Sequence, residues 1–390
     1  MEDVTLNKAP TTQAKRKVSI PAKMVLFFNF IAIVLLLLSY LAMFVSPQKF
    51  YPLAFLGFAY PIFLLLNLFF VIFWIFFLKK FFILSLIIIL IGFNQLRCYI
   101  NISFPSKNKN TVEHTLSVMS YNVRLFDLYN WRSDKSSYTK DQIMDLLKDK
   151  KPSVLCIQEY YNGLAINMDF AKLITSALDC KYSSVEFIKK EGKELPFGFA
   201  VFSKYPIINS ERIPYDNSTT NFMQVCDILM ENDTIRVINT HLESIRFGKD
   251  DYSFVSDITS KKSTTTNKEI KEKSRAIMAK MKRAYVKRSA QVKNLVEYSK
   301  DSPYPVIVAA DFNDTPVSYA HRQITNILSD GFIESGNGLG YTYVHSLFFL
   351  RIDYIFHSAD FHSIDYKIIR KAYSDHYPSI STLGLIKKKE

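Results

Sequence analysis

The chain has 390 residues, of which 48% are hydrophobic with 32 Phe and 23 Tyr, yet its mean hydropathy is only +0.04, so the apolar residues must be concentrated in one region. With 11 Gly and no low-complexity tract it is neither fibrous nor wholly disordered, and four Cys without a CxxC pair argue against a disulfide scaffold or a structural zinc site. Lys and Arg exceed Asp and Glu by 13, and the pI near 9.3 points to nucleic acid or a membrane surface until that charge is located along the chain.

Residues 1–23 form a basic leader containing Lys8, Lys15, Arg16, Lys17 and Lys23. Met24 to Val45 then runs 22 residues without a charge and Pro52 to Leu78 runs 27. Each can cross roughly 30 Å of hydrocarbon as a helix. A third apolar run begins at Phe81, after Lys79 and Lys80, and turns polar at Asn94, Gln95 and Arg97; it is short for a span, with a re-entrant or interfacial segment as the alternative. The first run is too long for a signal-peptide core and no small-residue cleavage site follows it. The expectation is a transmembrane region over 24–100 with three spans, about 24–45, 52–78 and 81–98. The leader and Lys79/Lys80 then lie in the cytoplasm by the positive-inside rule, and three spans carry the rest of the chain to the extracytoplasmic (periplasmic or extracellular) side. Asn67 and the Asn94/Gln95 pair read as inter-helix packing, and residues 101–114 read as a polar linker.

From 115 to 390 the pattern becomes short β-branched runs alternating with helical stretches, the grammar of one α/β domain. Strands are expected at Ser117–Phe126, Ser153–Glu159, Tyr182–Ile188, Gly198–Ile207, Gln224–Met230, Thr234–Leu242, Val306–Phe312, Arg351–Phe356 and Ser363–Ile369, followed by a C-terminal strand. Helices are expected at Lys140–Lys148, Met168–Leu178, Asn267–Tyr298 and Ser318–Leu328. Polar residues stand where strands end: Asn122, Gln158 with Glu159, Asn239 with His241, Asp311 with Asn313, Asp353 inside RIDYIF, and Asp375 with His376. In α/β sheets ligands gather at such ends. Each residue also has an ordinary reading taken alone. Asp311 and Asn313 can be turn formers before Pro316, Glu159 a helix cap, Asp353 the partner of Arg351, and His241 a core histidine. As a set they supply the oxygens a hard cation needs and the imidazole and amide donors that phosphoryl transfer needs.

The strings SYNVR (120–124), IQE (157–159), NTHLES (239–244), ADFND (310–314), RIDYIF (351–356) and SDHYP (374–378) resemble, in order, the motifs of the endonuclease/exonuclease/phosphatase superfamily, whose members include deoxyribonucleases, abasic-site endonucleases, neutral sphingomyelinases and inositol-polyphosphate phosphatases. GFAVFSKYPI resembles a core strand of that family, and Ala310 departs from the Gly or Ser usual before its DFN string. The resemblance implies a four-layer α/β sandwich, two packed mixed sheets flanked by helices. It implies Asn122, Glu159 and Asp375 as ligands of Mg²⁺, with Mn²⁺ as a substitute. Asp311 would orient or deprotonate the attacking water, Asn313 would hold that water or a phosphate oxygen, and His241 and His376 would donate to phosphoryl oxygens with Asp353 orienting His376. The acid partner of His241 is open, Glu191 and Glu194 being merely near in sequence. The activity implied is Mg²⁺-dependent hydrolysis of a phosphoester, of nuclease or phosphodiesterase type. The substrate is nucleic acid, a phospholipid or sphingolipid, or an inositol phosphate; the alternative is a catalytically silent phosphoester-binding module.

The charge is now located. Residues 1–110 hold 11 basic and 2 acidic residues, and Lys261–Lys293 holds 12 against 2. Ile270, Ile277, Met281, Ala284 and Val292 in that segment, with Leu295 and Val296 just beyond it, fall near helical spacing, so one face packs while the rest is a solvated basic face or contacts anionic lipid or nucleic acid. The remainder of the catalytic domain is net acidic, which fits a metal cleft better than a broad nucleic-acid surface.

Overall fold

The computed structural model describes residues 19–77, 79–103, 112–128, 139–163, 168–190, 193–216, 220–248, 250–251, 253–254, 266–344 and 349–386. The leader up to residue 18, Lys107 and Lys109, Glu191, and 261–265 of the basic segment therefore lie outside the described residues.

The apolar region folds as α1 (Ile20–Leu41), α2 (Pro47–Phe50), α3 (Pro52–Phe58), α4 (Tyr60–Phe76), α5 (Phe82–Ile91) and α6 (Phe93–Arg97). Three spans were expected, and the count is corrected here. Among the described residues α1 alone is long and apolar enough to cross a membrane; α3 and α4 meet at 59° and count as a second crossing only if taken as one broken span. The break has a local cause. Pro61 lacks the N–H that would continue α3, and Ala59 leaves helical geometry at φ −80, ψ 2. At ten residues α5 reaches only about 15 Å, and it stops at Gly92, where a Cβ would overlap the Tyr40 ring.

These helices pack side by side around a small polar network. Asn29 donates to Ser85 Oγ (2.6 Å), Ser85 donates to Asn67 Oδ1 (3.0 Å), Trp74 Nε1 donates to Asn29 Oδ1 (2.9 Å), and the Asn67 amide donates to the Ala32 carbonyl (2.9 Å). A buried amide among apolar helices is costly unless paired, so the network fixes how α1, α4 and α5 face one another. At one end Ala22, Val25, Phe81 and Phe82 pack on the cluster of Ala32, Phe70 and Trp74; at the other, Cys98 and Tyr99 join Met43 and Tyr60.

The second half contains β1 (Ile100–Asn101), β2 (Val112–Asn122), α7 (Thr139–Lys150), β3 (Val154–Tyr161), α8 (Phe170–Leu178), β4 (Tyr182–Lys190), β5 (Lys193–Ser203), β6 (Ile207–Pro214), β7 (Phe222–Met230) and β8 (Asp233–His241). It continues with α9 (Asn267–Lys300), β9 (Val306–Asp311), α10 (Tyr319–Thr325), β10 (Ser329–Asp330), α11 (Gly331–Ser335), β11 (Gly338–Leu339), β12 (Asp353–His357), β13 (Phe361–Ile368) and β14 (Ser379–Ile386). Two six-stranded sheets run β13-β14-β2-β3-β5-β4 and β10-β12-β9-β8-β7-β6. In each, one pair is parallel, β2 with β3 and β8 with β9, and the other neighbours are antiparallel. Strand alternation builds the layers. Leu116, Val118, Val154 and Cys156 face Val237, Ile307 and Ala309 between the sheets. Met119, Tyr121 and Ile157 face α7 and α8, and Ile238, Val308 and Ala310 face α9 and α10.

Several expected strand boundaries shift, and two of the shifts have a local cause. The expected Gly198–Ile207 strand is two, because Pro206 cannot donate to a ladder and Tyr205 N–H turns back to Ser203 Oγ (3.0 Å). The strand expected to run to Phe126 ends at Asn122, since Arg124 to Asp127 all take positive φ.

The two halves dock closely. Arg351, fully buried, reaches the Cys98 carbonyl with one nitrogen and Asp330 with the other. The Asn101 amide lies against the carbonyls of Phe332, Ile333 and Gly336, capping the C-terminal end of α11, while β1 pairs with β11. On another side, α3 presses on the loop after β9 so tightly that a Cβ at Gly57 would overlap the Val317 carbonyl. Phe55 meets Tyr285 edge-on at 5.4 Å, and Lys282 stacks over Tyr51 at 4.3 Å.

Candidate active site

The parallel pairs of both sheets end at one edge, and register does the positioning. Asn122 pairs with Gln158, His241 with Asp311, and Asp353 with Asp311. Alternation alone would send Glu159 under the helices. A register shift between Ile157 and Tyr160 intervenes, with Glu159 in the left-handed region at φ +50, and this bulge turns its carboxylate into the cleft. A non-glycine residue held there is strained, a feature that concentrates at functional positions.

Gln158 and Asn239, two of the polar strand-end residues, face the opposite way. Gln158 donates to Asn239 Oδ1 (2.8 Å), and the Asn239 amide donates to the carbonyls of Ile157 (3.0 Å) and Ala200 (3.2 Å) and to Gln224 Oε1 (3.1 Å). They bridge the sheets beneath the cleft floor.

Asp311 is the centre. Its Oδ2 accepts from Asn122 Nδ2 (3.0 Å) and lies 3.3 Å from His241 Nε2 and 3.7 Å from His376 Nε2, while Oδ1 accepts the Asn313 N–H (2.8 Å). His376 Nδ1 contacts both oxygens of Asp353 at 3.0 and 2.9 Å, and Thr342 Oγ1 accepts the Asp353 N–H (3.1 Å). Burial by itself would lower the His376 imidazole; Asp353 and then Asp311 outweigh it and push it well above the usual histidine range. Asn313, at φ +51, donates its amide to the Leu242 carbonyl (3.2 Å), and buried Arg288 reaches the Asn313 carbonyl and Asp314.

Glu159 accepts from Asn122 Nδ2 at 3.2 Å. Burial pushes its carboxyl up, with Asp375 adding to the effect and His241 opposing it. Asp375 lies 3.4 Å from Arg124 Nη1. All eight expected site residues thus converge on one edge. For His241, Glu191 lies outside the described residues and Glu194 pairs with Lys189 in the β4–β5 hairpin; the carboxylate that meets its ring is Asp311. Asp311, Asp353 and His376 can bring ligand atoms within 4.8 Å of one another. Because His376 Nδ1 is already engaged with Asp353, this trio reads as an oriented imidazole more than as a ligand set.

A hard cation fits Glu159 and its neighbours better. A half-buried carboxylate with one amide hydrogen bond, next to a second carboxylate, carries under-compensated negative charge, and carboxylate oxygens are donors of the kind Mg²⁺ takes; the Asn122 amide, whose nitrogen faces Glu159 while its oxygen accepts the Arg124 N–H (3.0 Å), would turn over to offer a third oxygen. A cavity of about 350 Å³ opens beside it, lined by Glu159, His241, Leu125, Phe197, Asn221 and Arg246. Sequence reading missed several contributors. Asn221 holds the His241 carbonyl (2.7 Å), and Arg246, at φ +58, bonds Thr220 Oγ1 (3.0 Å). Both sit on loops without periodicity; only Arg124, inside SYNVR, lay within a motif.

The fold and cleft define a phosphoesterase scaffold of two packed sheets. Residues 119–376 match the family model described as Endonuclease/Exonuclease/phosphatase family, and the chain belongs to that family, whose members hydrolyse phosphoester bonds and generally use a divalent metal. Residues 22–99 match a second model, described as a domain of unknown function. Among solved structures, a family protein from Bacteroides thetaiotaomicron superposes with a TM-score of 0.52 at 16% identity, covering 70% of this chain and 99% of that one. Family proteins from Bacteroides vulgatus (TM-score 0.50, 15% identity, 70% and 100% covered) and Beutenbergia cavernae (0.50, 16%, 70% and 72%) agree in fold. No curated protein matches in sequence.

Proposed function

We propose that this chain is a membrane-anchored, Mg²⁺-dependent phosphoester hydrolase with Asn122, Glu159 and Asp375 as metal ligands and His241, Asp311, Asn313, Asp353 and His376 as the catalytic set. The observation that carries the reading is the convergence of four donors on Asp311 beside the under-compensated Glu159. Bound Mg²⁺ would supply charge neutralisation at a phosphoryl oxygen. Asp311, held by Asn122 and the Asn313 N–H, is placed to accept a proton from the attacking water. His376, kept protonated between Asp353 and Asp311, donates to the phosphoryl group, and His241 donates from the other side. Asn313 holds the attacking water or a phosphate oxygen. The substrate class stays as broad as the family's chemistry.

Anchoring is supported by α1, whose Phe27, Phe28 and Phe30 are 57–62% exposed on a 22-residue helix, a surface that water does not tolerate. With α1 as the crossing, a basic cytoplasmic leader carries the catalytic domain to the extracytoplasmic side.

The test is hydrolysis of a phosphoester panel (duplex DNA, RNA, sphingomyelin, inositol phosphates) by the full-length protein in detergent. Turnover that chelation abolishes and Mg²⁺ restores, and that His376→Ala lowers by about a thousandfold, supports the reading. Mg²⁺ binding without turnover of any member would leave the silent binding module instead.

A further inference from the structure

Helix α9 extends well beyond the sheet it covers. From Ala284 onward it buries Ala284, Tyr285, Val292 and Leu295, whereas residues 267–283 contribute no buried side chain. One side of this forward half is occupied: Lys280 pairs with Asp251 and the Lys273 ammonium lies 5.5 Å from the Phe254 ring centre. On the opposite side Lys268, Lys271, Arg275, Met278 and Lys282 follow at steps of three and four, which puts them on one face. All five are exposed, Met278 at 54%. That face is continuous with the end of the apolar bundle. Lys282 stacks on Tyr51, Tyr285 meets Phe55, and Arg322 lies 5.4 Å from the ring centre of Phe44. Phe44 and Phe50, at the same end, are 60% and 53% exposed.

We infer that the Lys268–Lys271–Arg275–Met278–Lys282 face of α9 lies on the bilayer surface, its four cations against anionic phospholipid phosphates. The inference rests on the anchoring part of the proposed function and is independent of the hydrolytic part. Aromatic side chains at the end of an apolar helix bundle settle at headgroup level. A helix fixed to them by two ring contacts is held at that level, and the side turned away from Asp251 and Phe254 is cationic with one apolar residue at its centre. Anionic headgroups match that pattern, each nearby Lys or Arg favouring the surface by about fivefold. A nucleic acid lying on the same face would have to run against exposed Phe44 and Phe50, whose chemistry calls for lipid.

The test uses the full-length protein in lipid nanodiscs with a fluorophore at Met278→Cys; the four native cysteines are buried, so the label is unique. Brominated or spin-labelled lipid should quench this probe, more strongly in discs containing phosphatidylglycerol than in pure phosphatidylcholine. A probe at Ile208→Cys should stay unquenched, since Ile208 is exposed on β6, the sheet edge opposite β10. Lys268→Gln, Lys271→Gln and Arg275→Gln should each weaken the anionic-lipid dependence by about fivefold. Equal quenching at both probes, or quenching indifferent to lipid charge and to the three substitutions, overturns the inference. So does displacement of the quenching by short duplex DNA, which would assign the face to nucleic acid. A protein that does not float with the lipid overturns this inference together with the anchoring, whereas one that floats and hydrolyses with an unquenched Met278 probe overturns this inference alone.

Discussion

His376 meets Asp353 through one ring nitrogen and faces Asp311 through the other, so replacing Asp353 tests orientation apart from substrate contact. Asp353→Asn keeps shape and can still receive a hydrogen bond on its oxygen, but it removes the charge that holds the imidazolium. Turnover should fall by about a hundredfold, with KM little changed because the substrate-facing nitrogen stays in place; a matching rise in KM would mean that Asp353 serves binding. A different buried histidine governs acid stability. Burial lowers His321, against the pull of Asp330 and with Arg351 and Arg322 adding to the lowering, so it folds uncharged. Asp330 is itself held below the carboxylate range, Arg351 and His321 overcoming the effect of burial. Both pKa values are depressed on folding, so their stabilisation is complete at neutral pH and is lost on acidification. His321 starts the loss below about pH 6.5, and Asp330 follows below about pH 4. Denaturation across that range should show a slope of at most about 1.4 kcal/mol per pH unit from His321, and His321→Gln should flatten it.

At the level of elements, the contact of α3 with the loop after β9 leaves no room for a side chain at position 57. Gly57→Leu should destabilise the full-length protein by about 1–3 kcal/mol through overpacking, read as a lower thermal midpoint, while Gly248→Ala, whose Cβ would meet nothing closer than 3.6 Å, should be neutral. How far these elements can be read from sequence follows from what creates each one. The central strands are legible because a β-branched run that turns abruptly polar, as VIVAADFN does, has few other solutions. Parity in VLCIQE already assigns Gln158 to the inter-sheet side with Val154 and Cys156. The bulge that rescues Glu159 from the wrong face is not legible, because it depends on how β3 meets β5 rather than on β3 itself. The break at Ala59 is signalled by Pro61, yet hydropathy averaged over a run of uncharged residues hides it. Arg246 and Asn221 reach the cleft from loops whose course only the folded sheets define.

For the molecule as a whole, the positive charge is concentrated in residues 1–110 and one helix, and the cleft residues come from a domain that is otherwise acidic. The N-terminal helices also contribute to the packing of the α/β domain. Arg97, Cys98 and Asn101 supply partners to Ile333, Arg351 and α11, so the α/β domain is completed by the chain that leaves the bundle. The division of the site between the two sheets has a further consequence, for folding kinetics. Asn122 and Glu159 belong to the sheet built on β2 and β3, with Asp375 on the loop leading into its strand β14, whereas His241, Asp311 and Asp353 belong to the one built on β8 and β9. Neither sheet alone holds a working constellation, and pairings such as Asn122 with Asp311 span 189 positions of sequence, contacts that close late. During refolding from denaturant, strand and helix signals should return first and turnover only with the slowest phase, so the enzyme would report its own completion; activity that recovered ahead of inter-sheet burial would show that one half can act alone.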